Sequence, residues 1–486
     1  MTLGRRIMTV GAGTALAQVI TAASTPILTR IFSPEAHAAW AIFLSLTLIF
    51  GGVATLRYEL AVVLPPDGAS AAALVLVGLA SVLGISTLAA ATVGLLGSRV
   101  LSLEMLAFLQ DWVWLAPLSV LAVAGFQLGL AWCTREASFR VYAMAQFGLP
   151  TGILAAQVLF ALAGYRNAHG LIGGTVCGQI AAFTILAIVV VRGNASVFRD
   201  AFARPGLLKA ALTYCRYPLF MTPYTLVSLF RERLAYFLLA RFGAPQSTGY
   251  YNLVARLVNM PNSLVVGAVR PVFFQHAVGS DLKALEEPVR EVVRALGLCM
   301  LLCWGPCAIH ATMLMELVFG PAWGPAAPYA IALSIPAIAL GMGNWADRML
   351  DVLGCQPLAL KMELFFSVTA MGGLVFGFWW FGDLLSAVIL QSALLTIYHL
   401  VWLLMLFRVA GYRVGRLATV LVELGLVAGA SWGGAYLLQR VLNPWLACGV
   451  SFAIVVSMAL VTGSRTWRRI NDSLGEVAGR QVGMSA

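Results

Sequence analysis

Charge is scarce in this chain. Only 10% of its 486 residues are Asp, Glu, Lys or Arg, against about 25% in an average soluble protein, and mean hydropathy reaches +0.89. That shortage excludes a soluble globular domain. The five histidines, His37, His169, His276, His310 and His399, stand apart, and no His, Cys or Asp set shows metal-ligand spacing. There is no GxxxxGK[ST] phosphate loop, so the chain does not hydrolyse ATP through one. The eight cysteines show no framework pattern. Cys299, Cys303 and Cys307 share a helix face, a spacing that suits core packing better than ligation. Loops are short too: the longest connections, 193–210 and 276–287, are too small for a catalytic domain, which argues against an enzyme.

What the chain has instead is apolar length. Runs of about 20 apolar residues, enough to cross roughly 30 Å of hydrocarbon, recur from end to end. The fold class is an all-α polytopic membrane protein; a β-barrel would alternate in ten-residue strands. Fourteen spans are expected, near 7–30, 37–63, 70–97, 111–133, 141–164, 167–192, 211–241, 248–275, 288–318, 324–347, 356–381, 384–407, 417–438 and 443–463. With the N-terminus inside, the outer loops carry only Arg30, Arg99, Arg166, Arg241 and Arg440, and the other loop and tail cations fall on the inner side. This positive-inside bias places both termini in the cytoplasm. It also accounts for most of the net charge of +11 without a nucleic-acid partner. Arg5 and Arg6 precede an apolar run with no convincing cleavage site, so the first span is read as retained.

An internal echo suggests two lobes. At an offset of 211, Pro26-Ile-Leu-Thr-Arg30-Ile-Phe-Ser-Pro34 lies over Phe237-Leu-Leu-Ala-Arg241-Phe-Gly-Ala-Pro245, and Trp40 over Tyr251. With two residues of slippage Arg57 falls over Arg270. The expected division is an N-lobe at 1–192, a cytoplasmic linker at 193–210, a C-lobe at 211–408, a C-terminal helix pair at 409–463 and a basic tail at 464–486. Two pseudo-symmetric six-helix lobes would place a cargo site at their interface, around a central cavity near the midplane.

Six arginines, Arg57, Arg216, Arg231, Arg233, Arg256 and Arg270, fall inside the expected spans. Facing lipid, each would cost roughly 3 kcal/mol or more, so they are expected to face water, one another or an anionic cargo. In span 8, Asn252, Arg256, Asn259, Ser263 and Arg270 project within about 60° of one another at a helical pitch. Span 1 has a milder stripe of Thr14, Gln18, Thr21 and Thr25, and span 7 one of Tyr217, Tyr224, Ser228 and Arg231, beneath a kink expected from Pro218 and Pro223. Arg216 lies near a span end and can snorkel, and Arg233 points away from Arg231. Among the acids, Glu59 and Glu232 are candidates for coupling to a proton or sodium ion, with an ion pair to a nearby arginine as the simpler reading.

The stretch Pro26-Ile-Leu-Thr-Arg-Ile-Phe-Ser-Pro-Glu35, with Leu56-Arg-Tyr-Glu-Leu-Ala-Val-Val-Leu-Pro65, resembles the N-terminal signature of bacterial Wzx-type polysaccharide flippases of the MOP exporter superfamily, relatives of MurJ and the MATE transporters. The resemblance implies transport of undecaprenyl-pyrophosphate-linked oligosaccharide for O-antigen, capsule or exopolysaccharide synthesis, by alternating access around a cationic cavity. It also implies work alongside a polysaccharide polymerase and chain-length machinery. Arg57, Arg231, Arg256 and Arg270 fit the cargo-binding positions, with Asn252, Asn259, Ser263, Tyr224, Gln18 and Thr21 as polar lining, and no organic cofactor is implied. A MurJ-like lipid II flippase is the nearest alternative. A MATE-type drug antiporter is disfavoured by the cationic stripe, and a membrane polymerase or ligase by the short outer loops.

Overall fold

The computed structural model describes residues 3–101, 112–203, 206–242, 245–277, 282–346, 349–353, 355–454 and 457. Among these, every regular element is helical. Ten helical segments are long and apolar enough to cross a membrane. Helices α1 (Leu3–Ile31), α9 (Thr222–Phe242) and α10 (Pro245–Ala277) have spanning length but lie outside that set. Both α9 and α10 carry arginines in mid-helix, Arg231 and Arg233 on one and Arg256 and Arg270 on the other. The apolar helix Pro444–Ile454 is shorter. The described residues thus do not fix the number of spans at the expected fourteen.

The chain forms two compact units, Met1–Asn252 and Leu253–Ala486, with the division inside α10. In the first unit, α2 (Pro34–Val53), α3 (Gly68–Leu101), α4 (Ala116–Arg135), α5 (Phe139–Leu162) and α6 (Ala168–Gly193) precede two short helices, α7 (Ala195–Ala203) and α8 (Leu207–Thr213). Helix α6 packs on both α5 and α4, α3 packs on α4, α1 lies along α5, and α9 lies along α2.

Small residues let the α5–α6 hairpin close. A Cβ on Gly174 would lie 2.6 Å from the Gln157 backbone, and one on Gly178 2.5 Å from Cα of Ile153. Side chains larger than hydrogen would force the helices apart, the small-residue logic of membrane helix pairs. Buried polar groups then bond across the gap. Gln157 Nε2 donates to the Leu171 carbonyl (3.2 Å) and to Thr175 Oγ1 (3.0 Å), and Trp40 Nε1 donates to the same hydroxyl (2.8 Å). Ser119 Oγ donates to Gln179 Oε1 (2.6 Å), tying α4 to α6.

The second unit repeats this plan with α11 (Glu286–Ile309), α12 (Ala311–Phe319), α13 (Ala327–Gly343), α14 (Met349–Val352), α15 (Gln356–Phe381) and α16 (Leu384–Val409). Helix α16 packs on α15 and α13, and α11 on α13, matching the α5–α6, α4–α6 and α3–α4 pairings. Its hairpin closes on a glycine as well, since a Gly377 Cβ would sit 2.8 Å from Cα of Ala387. Gln391, also buried, donates from Nε2 to the Ala370 carbonyl (2.8 Å) across that hairpin. Helix α17 (Val414–Val441) lies against α11. There Arg294 pairs with Glu423 (3.0 Å) and Glu291, and Arg290 pairs with Glu287.

Two hairpin ends are capped by acids outside the spans. The Ser70 amide and hydroxyl hold the Asp67 carboxyl below its ordinary range, and the Ser386 hydroxyl and amide do the same for Asp383. Both acids precede a helix start, where a carboxylate satisfies free N–H groups and meets the positive end of the helix dipole.

Two expected spans are corrected. Span 2 was expected to run to residue 63, but α2 stops at Val53 and the chain enters turns and a short 3-10 helix, Tyr58–Leu60. Span 7 is not one helix: between α8 and α9 lies a π-helical turn at Tyr217–Met221, at the proline pair that signalled a kink. Such a wide turn relieves the clash between a proline ring and the preceding helix.

Candidate functional site

The stripe on α10 is best judged by which side the helix buries. Leu253, Val254 and Val258 are buried, whereas Asn259 and Ser263 are exposed and Asn252 and Arg256 partly so. Lipid-facing helices show the reverse. On α15 and α17 large apolar side chains are exposed, with Val368 70%, Trp379 74% and Leu426 71% exposed. A helix that buries its valines and shows its asparagines cannot present that face to hydrocarbon, where each unpaired polar group costs several kcal/mol. The exposed face of α10 is therefore a hydrated one. Arg270 belongs to the same stripe by helical position; its side chain, like that of Arg231 on α9, lies outside what is described.

The hydrated face keeps much of its hydrogen-bonding capacity. Asn259 spends Nδ2 on the Ala255 carbonyl (2.8 Å) and Ser263 its hydroxyl on the Met260 carbonyl (2.8 Å). Both are local bonds that leave acceptor oxygens outward. Nearby on the chain, Asn262 sits on a different side of α10, fully buried, donating to the Ala337 carbonyl (3.1 Å) on α13 with its amide oxygen against Gly341. Sequence reasoning passed over this anchor; the Pro261-Asn262 pair was the one signal that could have found it.

The other candidates are distributed differently. On α1 the apolar positions Leu16, Val19 and Ile27 are exposed, while Gln18 and Thr21 are half-buried and Thr25 is buried. Thr25 donates to the Thr21 carbonyl and Thr29 to that of Thr25, so these hydroxyls satisfy their own helix. Gln18 Oε1 is buried and has no hydrogen-bond partner among the described residues. Tyr224 on α9 is exposed, as is Glu232. Tyr236 of α9 meets Tyr251 of α10 edge-on at 5.8 Å between ring centroids, both in the first unit.

Arg57 is the main correction among the site residues. It lies beyond the end of α2, not within a span, and it follows Leu56 in the left-handed backbone region (φ 50° and 60°). Two such non-glycine residues cost about 1 kcal/mol or more each, and surrounding contacts hold them. The Arg57 guanidinium pairs with Glu59 (2.9 Å), whose other oxygen accepts from the Thr55 hydroxyl. Tyr58 donates to the Ala211 carbonyl (3.1 Å), and Arg135 Nη1 grips the carbonyls of Pro65 (2.6 Å) and Val62 (3.2 Å). The Arg57–Tyr58–Glu59 turn is thus a folded joint that fastens the end of α2 to α3, α4 and α8. Glu59 is a buried ion-pair partner here, in line with the simpler of its two readings. Glu59→Ala should lower stability by about 2 kcal/mol, since it strands both Arg57 and Thr55. Adding Arg57→Ala should then cost little more, as read by thermal unfolding in detergent. Additive losses would dissolve the pairing, and wild-type stability with lost transport would restore Glu59 as an ion-coupling candidate.

Among the described residues no three His, Cys, Asp or Glu side chains are placed to hold a metal ion. The structure brings Arg57 and Glu59 together, and helical position aligns Asn252, Arg256, Asn259 and Ser263.

Comparison with known proteins agrees with this architecture. The sequence model of a family described as "Polysaccharide biosynthesis protein" matches residues 27–328. No curated protein sequence matches the chain. Among solved structures, the chain is similar to the lipid II flippase MurJ in an inward closed conformation, with a TM-score of 0.63 and 11% identity over 95% of this chain and 98% of that one. It is also similar to the Vibrio cholerae MATE transporter VcmN in the bent form, with a TM-score of 0.46 and 14% identity over 86% and 98% of the two chains. At such identity the MurJ likeness establishes the fold alone.

Proposed function

Since this chain belongs to the polysaccharide biosynthesis family of Wzx-type flippases in the MOP superfamily, we propose that it carries undecaprenyl-pyrophosphate-linked oligosaccharide across the bacterial inner membrane. The observation that carries the reading is the inverted face of α10, with Leu253, Val254 and Val258 buried, Asn259 and Ser263 exposed and Arg256 partly exposed. A pyrophosphate is a multiply charged anion, and a guanidinium binds its oxygens as a planar fork. The asparagine and serine side chains of that face suit sugar hydroxyls. The lipid tail can stay in the bilayer while the head group follows the hydrated face.

No covalent bond changes in this cycle. The protein alternates between states that open the hydrated face to one side and then the other, with both termini in the cytoplasm. A proton or sodium ion, with Glu232 as a candidate carboxylate, or the membrane potential alone, would drive it. Polymerase and chain-length machinery would receive the product. The MurJ-like fold keeps lipid II as a second cargo with the same pyrophosphate handle.

The test is flipping in proteoliposomes loaded with defined lipid-linked glycans, read by accessibility of the head group to an added lectin or oxidase. We expect transbilayer movement of a lipid-linked oligosaccharide and little movement of lipid II. Preferential movement of lipid II would give the protein the second cargo, and movement of neither would overturn the carrier reading.

A further inference from the structure

The segment between α6 and α9 supplies none of the cargo contacts proposed above, yet its surface is distinctive. Helices α7 and α8 are fixed from beneath. Phe198 packs on Trp132 (4.8 Å between ring centroids), and Ala201 and Ala210 are buried in the same core. The Tyr58 hydroxyl bond to the Ala211 carbonyl pins α8 to the turn after α2. Their outward faces carry Phe202, Leu208 and Leu212, 71%, 70% and 64% exposed. Beside these stand exposed Arg192, Arg199, Lys209 and Arg216, and Asp200 is the lone acid of residues 192–216.

The placement is ordered. On α8, Leu208 and Leu212 lie about 40° apart and Lys209 about 60° further round; on α7, Arg199 lies about 60° from Phe202. Apolar side chains flanked by cations, on helices that run between two spans, match an element lying in the headgroup layer of a bilayer. The same end of the first unit carries Arg57 and Arg135, tied into the turn after α2, whereas the turns at its other end carry Arg30 and Arg166. We infer that α7 and α8 form a binding surface for anionic phospholipid headgroups, with Phe202, Leu208 and Leu212 inserted into the acyl boundary and Arg199, Lys209 and Arg216 on the phosphates. Basic residues at a charged leaflet favour anionic lipid by about fivefold each. The surface makes the position of this linker, and of the α2 joint beneath it, depend on leaflet charge.

The test places the photo-crosslinking residue p-benzoylphenylalanine at Phe202, and separately at Leu208, in the full-length protein. The carriers are nanodiscs of phosphatidylcholine with one-fifth phosphatidylglycerol, and adducts are identified by mass spectrometry. Phosphatidylglycerol should form adducts at several times its mole fraction, falling to that fraction when Arg199 and Lys209 are changed to Gln or when salt is raised. Adducts in proportion to composition, or to protein only, would overturn the inference. So would displacement of phosphatidylglycerol by stoichiometric polyprenyl pyrophosphate, which would assign the surface to cargo. Both positions are exposed, so a fold defect in one variant leaves the other to decide.

Discussion

Arg256→Ala abolishes surface polysaccharide while leaving protein abundance near that of the wild type: this is the expected result if α10 carries the cargo head group. Arg256 lies between Asn252 and Asn259 on the hydrated stripe, and the apolar packing that holds α10, through Leu253, Val254 and Val258, does not pass through it. Loss of one charge-assisted bond to a phosphate removes roughly 1.5–3 kcal/mol, about a tenfold to hundredfold loss of affinity. Arg256→Lys should retain part of the activity, since it keeps the charge and loses the bidentate fork. Asn259→Ala should do less, because its Nδ2 already serves the Ala255 carbonyl. The measurement is immunoblotting of membranes beside an assay of surface glycan in the same cells. If abundance falls in step with glycan, Arg256 is holding the fold together and the stripe loses its strongest member.

The contrast between Arg256 and Arg57 shows what a sequence can reveal in a membrane chain. Both are arginines in apolar surroundings. Arg256 could be grouped with Asn252, Asn259 and Ser263 because these recur at helical spacing, which puts them on one side of α10 apart from the buried Leu253, Val254 and Val258. Arg57 could not, because Leu56-Arg57-Tyr58-Glu59-Leu60-Ala61-Val62-Val63-Leu64 has the hydropathy of a span and no glycine or proline before Pro65. The helix ends there through two left-handed residues held by tertiary contacts with Arg135 and Ala211, which lie far along the chain. The polar bonds of the helix hairpins were out of reach for the same reason. Gly173 and Gly174 announce close packing, but nothing in the sequence pairs Gln157 with Thr175 or Trp40 with that hydroxyl. The association of α9 with α2 was likewise invisible to an echo that compares each segment only with its counterpart.

Gly249→Leu is expected to block transport through packing rather than charge. The first turns of α10 meet the first turn of α2 within the same unit, and a Cβ on Gly249 would lie 2.1 Å from the Pro34 carbonyl oxygen and 2.8 Å from its carbon. Ordinary contacts there begin near 3.4 Å. Any side chain therefore forces the two backbones apart by an ångström or more, and neither helix backbone can yield as a flexible side chain would. On the alternating-access reading proposed above, these helix ends are expected to close in one state and part in the other. A wedge at Gly249 penalises the closed state and leaves the parted one untouched, so the chain should still fold and insert. Thr248, fully buried beside it, reports the change. With the exposed Cys177 and Cys299 replaced by Ser, a Thr248→Cys probe should react slowly with a membrane-impermeant maleimide when Gly249 is kept and quickly when it is Leu. Surface glycan should fall at near-normal abundance, and Gly249→Ala should show a smaller effect in both readouts. Unchanged labelling together with collapsed abundance would mean that the contact is static packing, and that α2 and α10 stay together throughout the cycle.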